Sequence, residues 1–225
     1  MQTLAHIQYG WLLANIDKDL NLTERRLITL AAFVPDIDSI AQLFGTDAFY
    51  NYHHIVLHNF LTMFIYLVIA FIFTRRIKVL ALTALSFLLH LGTDYVTSDW
   101  PLQLFYPFSK FEVTLEEFIP SEIIISLLQP IFAYGIIIAT IIILIKYRRT
   151  FIEAFSKNLD ILLINFALLP FKNRCAFDQN RALYKCSECG KTLCAKHRYF
   201  IKGLKVICPD CKKISVNSVN QTENR

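Results

Sequence analysis

The stretch IVLHNFLTMFIYLVIAFIFTRRIKVLALTALSFLLHLGTD, residues 55–94, decides the fold of this protein. It contains two apolar runs, 55–74 and 77–91, joined by a basic turn. A third run, 123–145, carries no charged residue. A helix needs about 20 mostly apolar residues to cross a bilayer, so these runs predict three membrane-spanning helices, the second of them somewhat short. The sequence therefore predicts an all-α, multi-pass helical membrane bundle. Buried helices of a soluble protein are the alternative.

The basic residues lie beside these runs and set the expected orientation. Much of the formal net charge of +5 comes from the turn 75–78 and the segment 146–149. Short basic clusters beside apolar runs mark the cytoplasmic ends of spans. We therefore expect both segments in the cytoplasm, residues 1–54 and 92–122 on the opposite side, and no strong nucleic-acid signal. The N-terminus lacks a basic region and a small-residue cleavage site, so no signal peptide is expected.

Residues 150–171 are expected to form an amphipathic linker helix. Its polar residues have the spacing of a single helix face: Glu153, Ser156, Lys157 and Asp160. That pattern is typical of a helix lying at the membrane interface or packed on the bundle. A fourth span over 151–169 is the alternative, and it would move the C-terminal part across the membrane. The predicted domains are a membrane domain over 1–149, this linker, a zinc finger over 172–213 and a disordered tail over 214–225.

Histidines and aspartates gather at the ends of these elements. Ionisable residues at membrane level are costly and indicate function by default. Asp94 follows His90 by four residues, which places both on one face of a continued helix. Asp36 and Asp38 follow Pro35 in a segment predicted to be extended, so their carboxylates point the same way. The predicted metal ligands are His6, Asp36, Asp38, His53, His58, His90 and Asp94.

Neutral imidazoles combined with carboxylates suit a divalent metal such as zinc or manganese. The predicted ligands exceed what one tetrahedral ion needs. Two ions, or one ion with carboxylates that orient the histidines, both remain open. The neighbouring His54 either positions a substrate or simply faces the interface.

The C-terminal part contains all six cysteines, between residues 175 and 211. Together with one aspartate and one histidine they form four pairs with two residues between the members: Cys175 with Asp178, Cys186 with Cys189, Cys194 with His197, and Cys208 with Cys211. This spacing lets both side chains of a pair bind one ion. It predicts a small treble-clef or cross-brace module with two structural zinc ions, one held by the first and third pairs and one by the second and fourth. Three disulfides in an exported tail are the alternative.

Four of these motifs resemble the membrane-bound metal-dependent hydrolase family, the inner-membrane-associated group with a LexA-binding member. They are AHIQYG, VPDIDS, YHHIVLHN and HLGTDYVTSDWPLQLFYPFS, and the resemblance covers roughly residues 1–145. It implies a metal-dependent hydrolase with the ligands named above, distantly similar to zinc-dependent phospholipases C. In such an enzyme the metal would activate water for hydrolysis, with Asp38 or Asp94 as the catalytic base. His54 stands where the family usually has Arg, and Asn59 where it usually has Ser, which leaves substrate handling open. The run Cys189–Arg198 resembles the AN-one type of zinc finger, except that this chain ends in Cys-x2-Cys.

These patterns favour an integral-membrane metal-dependent hydrolase acting on phosphoesters, including lipid-linked ones. A non-catalytic membrane adaptor, with a structural metal site and a partner-binding zinc finger, is the main alternative. A carrier of metal ions is a third hypothesis. Expected partners are membrane lipid and a protein bound by the zinc finger, and the expected location is the cell membrane with the finger in the cytoplasm.

Overall fold

The computed structural model describes residues 3–98, 100–115, 121–167, 174–178, 180, 182–201 and 205–213. These residues are mostly helical. The α-helices are α1 Thr3–Ala14, α2 Leu22–Ala31, α3 Thr46–Tyr52, α4 Phe60–Phe73, α5 Ile77–Thr97, α6 Ser121–Tyr147 and α7 Lys157–Ala167. The 3-10 helices are Pro35–Phe44, Phe151–Ala154 and Ala195–His197. The strands are β1 Tyr184–Lys185, β2 Thr192–Leu193, β3 Tyr199–Ile201 and β4 Lys205–Ile207.

The chain divides into two compact units. The first consists of Met1–Ile16 and Leu22–Ile141, and the second of Asp17–Asn21 and Ile142–Arg225. The predicted disordered tail, 214–225, and the junction 168–173 lie outside the described residues.

The first unit is built by α1, α2, α4 and α5, which pack against one another. Trp11, Ile28 and Phe87 are almost completely buried between them. The backbone of α1 approaches its neighbours closely at Gly10, where an added Cβ would lie 2.6 Å from the Ala32 Cβ. Real Cβ atoms do not come that close, so only glycine fits this crossing.

Two described helices are long and apolar enough to cross a membrane, Ile77–Thr97 and Pro130–Tyr147. They correspond to the second and third predicted spans. The first predicted span is shorter in the structure, because α4 begins at Phe60 rather than at Ile55. The Asn59 side chain explains this boundary. Its Oδ1 accepts the Thr62 amide at 2.9 Å and its Nδ2 donates to the Ile55 carbonyl at 3.0 Å, which caps the helix and holds the preceding turn.

The segment after α2 is a 3-10 helix, Pro35–Phe44, rather than the extended segment expected from the sequence. Pro35 occupies its first turn, where a missing N–H costs nothing. The axis bends by 57° between α2 and this helix, and by length and composition the pair qualifies as one candidate broken span or re-entrant loop. With about three residues per turn, residues two apart point to different sides. Asp36 and Asp38 therefore face different nitrogens of His58, Nε2 and Nδ1 respectively.

The second unit contains the end of α6, the short helix Phe151–Ala154, α7 and two hairpins. The predicted linker helix is thus two helices in the part the structure describes. Strand β1 pairs antiparallel with β2, and β3 with β4. The buried cluster of this unit combines one residue of α7 with residues of the hairpins: Ile164, Leu183, Tyr184, Cys186, Leu193, Ile207 and Cys208. The hairpins and α7 therefore share one core.

Candidate metal sites

The predicted ligands of the membrane domain meet at one place in the first unit. His6 comes from α1, His90 and Asp94 from α5, and the others from the 3-10 helix Pro35–Phe44 and the loop between α3 and α4. The side chains of His6, His58 and His90 are completely buried. Four elements distant in sequence thus direct polar side chains into one apolar interior. Burial of these groups costs free energy unless each has a hydrogen-bonding or ionic partner.

Four of these residues have the separations of a metal-binding shell. Asp36, His58, His90 and Asp94 each offer one atom, and these atoms lie within 4.8 Å of one another. The two histidine Nε2 atoms are 3.1 Å apart. The Asp94 Oδ2 lies 2.9 Å from the His90 Nε2, and the Asp36 Oδ1 lies 3.7 Å from both Nε2 atoms. Ligands of a tetrahedral ion with bonds near 2.0–2.2 Å lie roughly 3.3–3.6 Å apart. The four atoms therefore surround a volume of the size of one ion.

The hydrogen bonds behind the two rings fix which nitrogen faces this volume. His90 Nδ1 lies 2.8 Å from the Ala32 carbonyl, which only accepts, so Nδ1 donates. His58 Nδ1 lies 3.0 Å from the Asp38 Oδ2 and donates to it. Both neutral rings then carry their lone pair on Nε2, and the two lone pairs face each other. A cation between them removes this repulsion. A hydrogen bond donated by the other ring nitrogen to a carboxylate or carbonyl is the usual support of a metal-binding histidine.

His6 lies beside the same group. Its Nδ1 is hydrogen-bonded to the Tyr9 hydroxyl. Its Nε2 is 3.2 Å from the Asp94 Oδ1 but has no hydrogen-bond partner among the described residues. The Asp36 Oδ2 is likewise buried without one in that part of the chain. Buried polar atoms are rarely left unpaired, so both atoms fit an ion or a water at the centre.

Asp38 lies behind His58 rather than at the centre. Its Oδ1 is 2.6 Å from the His53 Nδ1, and its Oδ2 accepts from the His58 ring and, at 3.2 Å, from the Leu57 amide. Both oxygens are thus engaged. This geometry favours an orienting role for Asp38 and His53 over the ligand role expected for both, and over the role of catalytic base considered for Asp38.

The sequence left the role of His54 open, and the structure places this residue in the same buried region. Its backbone φ is 68°, in the left-handed region that non-glycine residues seldom adopt. The residue is 94% buried, and its ring centroid lies 4.7 Å from that of His58 and 5.5 Å from that of Trp100. Its Nδ1 has no hydrogen-bond partner among the described residues. His53, His54 and His58 form a second group with ligand-like spacing. The unusual Tyr-His-His run was the available sequence signal.

The tail contains two further groups with ligand spacing. Cys186, Cys189, Cys208 and Cys211 form one, and Cys175, Asp178, Cys194 and His197 the other. The pairing is the one predicted from the cross-brace spacing. Sulfur atoms in the first group lie 3.7 Å apart across the two pairs, close to the roughly 3.8 Å of a tetrahedral zinc thiolate site. None of the six cysteines forms a disulfide.

The second group is mixed in its donors. The His197 Nδ1 lies 3.4 Å from the Cys194 Sγ and 3.2 Å from the Asp178 Oδ2. The hydrogen bond from the Asn180 side chain lowers the pKa of Asp178 to about 2, so this carboxylate is ionised at neutral pH. An ionised Asp178 suits a cation.

The backbone prepares the four-cysteine group for a cation. Burial raises the pKa of the Cys186 thiol, but backbone amides around its sulfur, including that of Cys208 at 3.3 Å, outweigh burial and lower the pKa to about 6. The thiolate is the form that binds metal. The group therefore offers at least one ready anionic ligand at neutral pH.

The chain is similar to a known family of membrane proteins. The model of a family described as YdjM inner membrane protein matches residues 1–169. No curated protein and no solved structure matches the chain significantly. The match covers every histidine and aspartate of the buried cluster and ends before the cysteine pairs. Together with the apolar helices, it confirms the predicted location in the membrane.

Proposed function

We propose that this chain, which belongs to the YdjM inner membrane protein family, is an integral-membrane hydrolase that cleaves phosphoesters with the help of a divalent metal. One observation carries the proposal. The Nε2 atoms of His58 and His90 face each other at 3.1 Å, each with its Nδ1 already donated elsewhere. The carboxylates of Asp36 and Asp94 flank them. Their two negative charges match the two positive charges of a zinc or manganese ion.

The chain's own groups prepare this centre. A divalent ion here supplies Lewis-acid activation of water and neutralises charge on a phosphoryl group. Asp38 and the Ala32 carbonyl hold the two rings in the required tautomer. Asp36 keeps its Oδ2 without a hydrogen-bond partner among the described residues, so this oxygen is placed to accept a proton from an attacking water. His54 is placed to contact the substrate.

The substrate class rests on two supports. The motifs that resemble metal-dependent hydrolases imply phosphoester chemistry. The membrane location places phosphate headgroups within reach of the protein.

The test is hydrolysis by the purified full-length protein. Methyl p-nitrophenyl phosphate, a small chromogenic diester, should be cleaved after zinc or manganese is added back to chelator-treated protein. His90→Ala should lose this activity, because it removes a ligand. Asp47→Asn, an exposed position on α3, should retain it. Wild-type protein without metal-dependent release of p-nitrophenolate would contradict the proposal.

A non-catalytic adaptor is the second candidate, and one observation favours it. Asp36, His58, His90 and Asp94 already suffice to fill a tetrahedral shell, and a centre closed by protein ligands is structural rather than catalytic. In that case the buried centre would retain its metal but the chromogenic diester would remain uncleaved.

For both candidate functions, we propose that the cysteine-rich tail holds two structural zinc ions and presents a surface to a protein partner.

A further inference from the structure

Helix α7 has one apolar side that packs on protein and a second one that faces outward. Ile164 is completely buried in the core that α7 shares with the hairpins. The outward side carries Leu159, Leu162, Leu163 and Phe166, with Leu162 63% and Phe166 72% exposed. Their spacing of three and four residues forms one continuous row along the helix. This row, called the outer stripe below, is an apolar surface that needs a partner other than water.

The acidic residues of this region lie inside the unit rather than on the outer stripe. Glu153 and Asp160, two members of the polar face expected from the sequence, are both buried. Asp160 accepts hydrogen bonds from Thr150. From Leu159 onward, the exposed side chains of α7 that the structure describes are all apolar. A helix that faces water on its outer side has the opposite arrangement.

The second unit begins at the end of a candidate membrane span. Its first residues belong to α6, whose stretch Pro130–Tyr147 is long and apolar enough to cross a membrane. Leu144 packs against the core that contains Ile164. The Tyr184 hydroxyl donates to the Arg148 carbonyl at 3.0 Å. These contacts hold α7 and the hairpins beside the end of α6, where a span passes from the hydrocarbon into the headgroups.

The same part of the chain is strongly basic. Residues 142–225 contain 16 lysines and arginines but six aspartates and glutamates, a formal net charge of +10, whereas the whole chain carries +5. Lys146 at the end of α6 and Lys157 at the start of α7 are both exposed. Basic residues beside a span are attracted to anionic headgroups. Positive charge combined with an apolar stripe is complementary to the surface of an anionic bilayer.

We propose that α7 lies on an anionic phospholipid surface, with its outer stripe at the boundary of the acyl chains and the basic residues of its unit at the headgroups. Because the hairpins pack on another side of the same helix, α7 then holds the cysteine-rich module at the membrane surface. A protein partner of the module would meet it there. This inference does not depend on hydrolysis.

Quenching of tryptophan fluorescence by brominated lipid tests whether the outer stripe contacts the bilayer. Phe166→Trp exchanges one exposed aromatic residue of the stripe for another. Lys157→Trp is the matched control, because at about 100° per residue position 157 lies on the opposite side of the helix from position 166. The full-length variants are placed in vesicles of phosphatidylglycerol and phosphatidylcholine, with or without bromine on the acyl chains near the headgroup. The signal of wild type, which contains Trp11 and Trp100, is subtracted.

The added fluorescence of Phe166→Trp should fall by roughly half in brominated vesicles, since an interfacial helix buries its apolar face about 5–10 Å into the boundary of the acyl chains. That of Lys157→Trp should change little. No quenching at position 166 would overturn the proposal and mean that protein covers the outer stripe, either the first unit or a second copy. Equal quenching at both positions would also overturn it, because lipid would then surround α7 as it surrounds a span.

The same variant tests the role of lipid charge. In vesicles of phosphatidylcholine alone, bromine should quench Phe166→Trp less than in the mixture with phosphatidylglycerol. High salt should reduce quenching in the mixture, because it screens the attraction between basic side chains and headgroups. Quenching that depends on neither lipid charge nor salt would contradict the assignment to an anionic surface.

Discussion

At the residue scale, Asp38 is placed to support the candidate metal centre without touching the metal itself. It accepts from the His58 ring and from the His53 ring. Asp38→Asn should keep the metal but weaken its binding by about 10–100-fold, the usual effect of losing such a support. Competition with a chelator measures this. Complete loss of the metal from Asp38→Asn would instead identify Asp38 as a ligand.

The sequence predicted which residues meet but not what each of them does. His90 and Asp94 were predictable, because four residues on one helix define a shared face. Asp36 and Asp38 were misplaced on a common side, because nothing in PDIDS distinguishes a 3-10 helix from an extended segment. The positive φ of His54 depends on how the loop before α4 closes. Local sequence does not determine that closure.

At the element scale, Gly10 controls how closely α1 approaches its neighbours. Gly10→Ala would place a methyl group 2.6 Å from Ala32 Cβ and 2.9 Å from Ser86 Oγ. Overpacking of this kind costs about 1–3 kcal/mol, which lowers the Tm by roughly 2–10 °C for a chain of this size. Gly135→Ala, with open space around it, should not lower the Tm. Thermal unfolding of both variants checks this, and an unchanged Tm for Gly10→Ala would disprove close packing of α1.

Asp160 joins α7 to the segment before it and should make stability depend on pH. Its Oδ1 accepts from both the amide and the hydroxyl of Thr150 at 2.7 Å. Burial outweighs these bonds and raises the pKa of Asp160 to about 6 in the folded state. The folded state thus holds the proton more tightly than the unfolded state. The stability that protonated Asp160 contributes is present below about pH 4 and is lost as the pH rises to about 6.

Asp160→Asn removes this charge and keeps an acceptor for Thr150. The stability of the variant relative to wild type should therefore rise between pH 4 and 6 and level off above, by on the order of 1–3 kcal/mol. Paired unfolding curves at several pH values measure the difference. A relative stability that falls over this range would mean that the fold prefers the ionised carboxylate.

At the scale of the whole molecule, orientation determines which compartment the candidate hydrolase site faces. The positive-inside rule predicts that 75–78 and 146–149 lie in the cytoplasm, and the cysteine-rich tail with them. In intact cells an impermeant thiol reagent should leave the wild-type cysteines unlabelled. It should label Ser109→Cys, an exposed position in the loop after α5. Permeabilised cells serve as the control in which every accessible cysteine can react. If the wild-type cysteines were labelled in intact cells and Ser109→Cys added no further label, the orientation would be the opposite one.

The central claim is that the buried cluster of the membrane domain is a metal centre distinct from the zinc groups of the tail. Elemental analysis of purified full-length protein tests it most directly, with Asp94→Asn and the exposed control Asp47→Asn measured in parallel. The account predicts about three metal equivalents for wild type and Asp47→Asn, two in the tail and one in the cluster, and about two for Asp94→Asn. Equal metal content in wild type and Asp94→Asn would contradict it.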